Sequence, residues 1–102
     1  MVFVETPTFA RSATRLIDED DLAVLQTALM LRPDAGPVIP GSGGLRKLRI
    51  AAKGHGKRGG ARVIYYWRNN EDQIFLLFAY AKNERANLTV AQLRALRQSI
   101  EL

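Results

Sequence analysis

The sequence predicts an α+β fold, with an N-terminal strand and two helices packed on an antiparallel or mixed sheet and a further helix at the C-terminus. Three observations carry this. Apolar residues recur at helical spacing before residue 33 and again after residue 89. Between residues 46 and 80, three segments are alternating or continuously apolar, with β-branched and aromatic residues prominent. Glycine- and proline-rich stretches separate the two kinds of pattern. At 102 residues, a single domain spanning positions 1–102 is expected.

Val2-Phe3-Val4 reads as a short strand closed by Pro7. Thr6 stands where a helix N-cap belongs, and Pro7 follows at the first helical position, where a missing N–H costs nothing. Phe9, Ala13, Leu16 and Ile17 form one face of this first helix. A second helix starts in the run Asp18-Glu19-Asp20-Asp21, whose carboxylates complement the positive end of the helix dipole. Consecutive side chains fan around a helix, so the run is read as capping and not as a metal site. Leu22, Leu25, Ala28 and Leu29 supply the apolar face, and Pro33 ends the helix. Residues 33–44 make a connection punctuated by proline and glycine. It is not a phosphate-binding P-loop, because Leu45-Arg46-Lys47 follows Gly44 where Gly-Lys-Ser/Thr is needed.

Three strands come next. Leu48, Ile50 and Ala52 alternate with Lys47, Arg49 and Lys53, giving one apolar and one cationic face. Ala61 to Arg68 is β-branched and aromatic, and Ile74 to Tyr80 is apolar enough for the centre of a sheet. Residues 69–72 form a tight polar hairpin loop, while residues 54–60 form a glycine-rich loop with two cations. The final helix opens with the capping box Thr89-x-x-Gln92, and Leu88 is placed to staple onto Leu93. Leu93, Leu96 and Ile100 form its inner face.

Composition narrows the chemistry. There is no cysteine and only one histidine, His55, which removes disulfides, thiolate nucleophiles and cysteine-ligated metals and disfavours an imidazole-rich metal site. No apolar run reaches the roughly 20 residues of a membrane span, and the start does not read as a signal peptide, so a cytoplasmic protein is expected. The net charge of +5 is concentrated. Residues 46–68 hold eight bases (Arg46, Lys47, Arg49, Lys53, Lys57, Arg58, Arg62, Arg68) and no acid. Such a cluster is the electrostatic footprint of a phosphate-binding surface. Lys, Arg and Tyr suffice for one reaction in particular. In RNA the 2′-hydroxyl is itself the nucleophile, so cleavage needs only a proton acceptor, cations for the phosphorane and help for the leaving 5′-oxygen.

Three ordered blocks carry a resemblance. These are Gly41-Ser42-Gly43-Gly44-Leu45-Arg46-Lys47-Leu48-Arg49, then Gly56-Lys57-Arg58-Gly59-Gly60-Ala61-Arg62-Val63-Ile64-Tyr65-Tyr66, then Tyr80-Ala81-Lys82-Asn83-Glu84 with Leu88-Thr89. Together they closely resemble HigB toxins of the RelE/ParE superfamily, over nearly the whole chain. The resemblance implies a RelE-like fold and a metal-independent endoribonuclease that cleaves mRNA on the translating ribosome, with no cofactor. It also implies neutralisation by a cognate antitoxin, a HigA-like helix-turn-helix protein. By position, it assigns catalytic roles to Lys53, Lys57, Arg62, Tyr80 and Lys82. Arg62 and Lys82 are expected to stabilise the phosphate, Lys53 or Lys57 to transfer the proton, and Tyr80 to stack on or position a base. Arg46, Lys47, Arg49, Arg58 and Arg68 are expected to hold mRNA or ribosomal RNA backbone.

Other readings stand beside these. Tyr80 is equally compatible with a core tyrosine that closes the sheet, and His55 has no assigned role. A ParE-like gyrase inhibitor without nuclease activity is the rival within the superfamily. A non-catalytic RNA-binding module is the rival outside it, although Ile64, Tyr65, Tyr66 and Trp67 alternate in a way that suggests burial on both faces.

Overall fold

In the computed structural model, residues 1–51, 60–85 and 87–100 are described. In chain order they form β1 (Val2–Glu5), α1 (Pro7–Ala13), α2 (Glu19–Leu31), β2 (Arg46–Ile50), β3 (Ala61–Arg68), a 3₁₀ turn (Asn69–Glu71), β4 (Gln73–Ala81) and α3 (Val90–Gln98). The four strands make one mixed sheet in the order β1-β4-β3-β2. β1 runs parallel to β4, a neighbour that the sequence did not identify, and the remaining pairs are antiparallel.

Local signals account for most boundaries. Thr6 caps α1 by accepting from the Phe9 N–H at 3.1 Å, and its hydroxyl donates to the Leu76 carbonyl at 3.1 Å. One side chain thus starts the helix and ties it to β4. α1 is shorter than its apolar spacing suggests: it stops at Ala13, and Leu16 and Ile17 are buried from the turn that follows. The acidic run does cap α2. Asp18 accepts from the Asp21 N–H at 2.7 Å while Asp21 accepts from the Asp18 N–H at 3.2 Å, a reciprocal box. Thr89 and Gln92 form the same box on α3. Of the residues expected on the inner face of α2, Leu25 and Leu29 are fully buried and Leu22 half-buried, but Ala28 is exposed. The polar hairpin loop between β3 and β4 contains the 3₁₀ turn and closes with Asp72 in the left-handed region (φ 52°).

The sheet is covered on both faces. On one face, Phe9, Leu16, Ile17, Leu25 and Leu29 from the helical segments pack against Val63, Tyr65, Ile74 and Leu76. On the other, Leu93 and Ile100 meet Leu45, Ile64, Leu77 and Tyr80. β3 is buried on both faces, as its sequence suggests, with Val63 and Tyr65 on one side and Ile64 and Tyr66 on the other. β4 departs from strict alternation, because the register with β3 shifts between Ile64 and Tyr65 and leaves Leu77 as an extra residue. Ile74, Leu76, Ala79 and Ala81 consequently join the α1/α2 face, and Phe75, Leu77, Phe78 and Tyr80 join the α3 face. The 33–44 connection is knitted in by side chains. The Tyr65 hydroxyl accepts from the Gly36 N–H at 2.9 Å and donates to the Pro33 carbonyl at 2.8 Å. Arg97 of α3 donates to the Gly43 carbonyl at 3.0 Å and lies 4.6 Å from the Tyr66 ring centroid.

Candidate functional site

Strand register decides which cations share a face. Arg49 of β2 stands directly opposite Arg62 of β3, and Arg62 stands directly opposite Tyr80 of β4. Cross-strand neighbours lie about 5 Å apart, so these three side chains form one row at the end of the sheet, on the α3 side. Lys47, two residues before Arg49, is on the same face and donates to the Asn87 carboxamide oxygen at 2.9 Å. Lys82 leaves the end of β4 next to the row and is exposed.

Like charges placed directly opposite in a sheet destabilise it. Here the pair is also desolvated on one side, since Arg62 is only 7% exposed while Arg49 is open to solvent. One Arg62 guanidinium nitrogen is directed at the Ala61 carbonyl at 3.5 Å. Tyr80 completes the row with its ring buried at 3% exposure, tilted 30° to the Phe78 ring at 6.1 Å. Burial pushes the Tyr80 phenol up from its ordinary value, against the opposite pull of the Arg62 and Arg85 guanidiniums. Tyr80 therefore keeps its proton at neutral pH and serves as a hydrogen-bond donor. The buried ring packs with the α3-side core, beside Ile64 and Leu77.

Two of the expected RNA-binding cations sit elsewhere. Arg46 follows the parity of Leu48 and Ile50 and so lies on the α1/α2 side of the sheet, away from Arg62. It donates to the Gly36 carbonyl at 2.8 Å and lies 5.9 Å from the Trp67 ring centroid. Arg68 shares a face with Arg62 but is six residues along β3, about 20 Å away at 3.3 Å per residue. It lies 5.4 Å from the Phe75 ring centroid. Lys53, His55, Lys57 and Arg58 are outside the described residues. Arg85, which the sequence reading passed over, belongs beside Tyr80, as its pull on the phenol shows. Its signal was available as a cation five residues after Tyr80, one position past the block that ends at Glu84.

Among the described residues, no three His, Asp or Glu side chains converge as metal ligands, and no helix is long and apolar enough to cross a membrane. The profile of the RelE toxin of the RelE/RelB toxin–antitoxin system matches residues 2–101. The chain belongs to the RelE toxin family. Among solved structures it is similar to E. coli toxin RelE in the free state, a mutant with two arginines replaced by alanine. That similarity has a TM-score of 0.63 at 11% identity, covering 94% of this chain and 95% of that one. At this identity the likeness speaks for the fold alone: three helices and a four-stranded mixed sheet, as in RelE. RelE-type toxins pair with antitoxins, so the expectation of a toxin with a protein partner holds at family level.

Proposed function

We propose that this RelE-family toxin is a HigB-type, ribosome-dependent endoribonuclease acting in the cytoplasm, neutralised by a HigA-like antitoxin. The carrying observation is the cross-strand row Arg49–Arg62–Tyr80, two opposed guanidiniums and a protonated phenol at one end of the sheet. In the proposed reaction the 2′-oxygen of the substrate attacks the adjacent phosphorus as the bond to the 5′-oxygen breaks. The products are a 2′,3′-cyclic phosphate and a 5′-hydroxyl. Arg62 and Lys82 neutralise the charge that grows on the non-bridging oxygens, where one well-placed donor is worth about 100- to 1000-fold in rate. Lys53 or Lys57, in its neutral form, takes the 2′ proton, and the departing 5′-oxygen takes up a proton from solvent to become the 5′-hydroxyl. Tyr80 donates a hydrogen bond from its phenol at the phosphate, in place of the stacking role that a buried ring does not offer. Lys47, Arg49 and Arg58 hold the RNA backbone, as point charges or forks according to type.

The test is inducible expression with and without the adjacent gene, followed by primer extension on a translated reporter mRNA. The expected result is growth arrest with new cuts inside the coding region, relieved by the antitoxin and abolished by Arg62→Ala. Arrest without cuts sinks the nuclease reading and moves a gyrase-inhibiting toxin to the front.

A further inference from the structure

β1 pairs with β4 only as far as Leu76, so the outer edge of β4 beyond that point is covered by α1 instead of a strand. Ser12 of α1 makes the seal, its hydroxyl accepting from the Ala79 N–H at 2.9 Å. Above this seam lies a groove of about 390 Å³ whose lining includes Arg11, Arg15, Tyr80, Glu84 and Arg85. Three exposed arginines face a single carboxylate, leaving the groove cationic. Arg85 lies 5.8 Å from the Phe78 ring centroid, which holds its exposed guanidinium at the rim of the groove. Arg11 has a single long contact, 3.5 Å to the Thr8 hydroxyl.

The position of the groove gives it meaning. Arg49, Arg62 and Tyr80 step across β2, β3 and β4 at right angles to the strands. Continuing the same line past β4 leads over Tyr80 to Arg85, Arg15 and Arg11 on the α1 side. We propose that this groove is a second phosphate-binding site, which holds the backbone of a single-stranded RNA extending beyond the Arg62–Tyr80 row. The inference rests on the RNA-directed reading of that row and adds a direction to it: the strand crosses β4 and leaves over α1. Such contacts position the strand without reading its sequence.

The test measures binding apart from cleavage. A fluorescently labelled, fully 2′-O-methylated mixed-sequence RNA 12-mer cannot be cut by 2′-hydroxyl attack. Its affinity for the full chain is followed as salt is raised. Each phosphate contact to a single strand adds about 0.7 to the slope of log affinity against log salt, so Arg11→Ala/Arg15→Ala is expected to lower the slope by about 1.4. Arg11→Lys/Arg15→Lys, which keeps both charges, is expected to restore most of it. Circular dichroism checks that each variant is folded.

An unchanged slope in the folded alanine variant overturns the groove, while cuts in the reporter assay would leave the nuclease reading standing. A lowered slope in a protein that never cuts RNA supports the groove and removes the nuclease. An unchanged slope together with weakened antitoxin binding also overturns the proposal, and reassigns these arginines to an acidic protein segment. No RNA binding by the wild-type chain overturns it outright.

Discussion

Replacing Tyr65 with phenylalanine isolates the worth of one hydroxyl group. The residue is fully buried, and its ring would stay in place, so no large cavity opens. What disappears is the acceptor of the Gly36 N–H and the donor to the Pro33 carbonyl. Gly36 is itself buried, so its N–H would be stranded at a cost of about 1–3 kcal/mol. The Pro33 carbonyl belongs to a half-buried residue that water can reach, and its loss costs about 1 kcal/mol. The expected total is about 2–4 kcal/mol, equivalent to a fall in Tm of roughly 10–25 °C for a domain of this size. Urea unfolding followed through Trp67, the sole tryptophan, measures it directly. A loss below about 0.5 kcal/mol at unchanged m would refute the reasoning, because the pair of bonds would then be replaceable by solvent. Arg62 points to the other face, so Tyr65→Phe assayed well below its midpoint is expected to retain whatever activity the wild type shows.

Three further perturbations have defined outcomes. Gly60 has φ +68°, and a Cβ there would meet the Ile50 carbonyl oxygen head-on, so Gly60→Ala is expected to destabilise by more than about 2 kcal/mol and to pull β2 away from Arg62, read by thermal unfolding and by loss of RNA binding. Asp18→Ala removes a side-chain cap and is expected to cost about 1 kcal/mol in urea unfolding. The phenols of Tyr65 and Tyr80 are both pushed above their ordinary value of 10.0, chiefly by burial. Their contribution to stability is complete below pH 10 and is lost as pH rises through the folded values, since the unfolded chain ionises first. Alkaline unfolding should therefore steepen above pH 10, and Tyr65→Phe should flatten that dependence; an identical pH profile in the variant would count against it.

Features encoded by nearest neighbours were legible in the sequence. The boxes at Asp18 and Thr89 are spelled out within four residues, and the alternation of Lys47 and Arg49 with Leu48 and Ile50 assigned the cationic face of β2 correctly. The same alternation places Arg46 with the apolar set, on the face opposite Arg62. The partner of β1 was beyond reach. Val2 pairs with Gln73 across most of the chain, and four residues carry no information about so distant a neighbour. The burial of Tyr80 was hidden for another reason. β4 is apolar at almost every position, so no period of two marks where its faces exchange.

The extra residue at Leu77 ties the length of β4 to the placing of Tyr80 beside Arg62. It separates the half of the strand that holds β1 from the half that carries Tyr80, and it sets the phase between them. Losing Leu77 itself would restore strict alternation with both halves on their present faces, whereas adding one residue there would force one half to turn over. Either Ile74 and Leu76 would leave the α1/α2 core, or Tyr80 would rotate beneath α1 and Ala79 or Ala81 would take its place beside Arg62. The connection at 33–44 crosses no such phase boundary, so its length can drift in descendants of this chain as long as Gly36 still reaches Tyr65. In β4, a lineage that gains one residue must also rebuild the row beside Arg62.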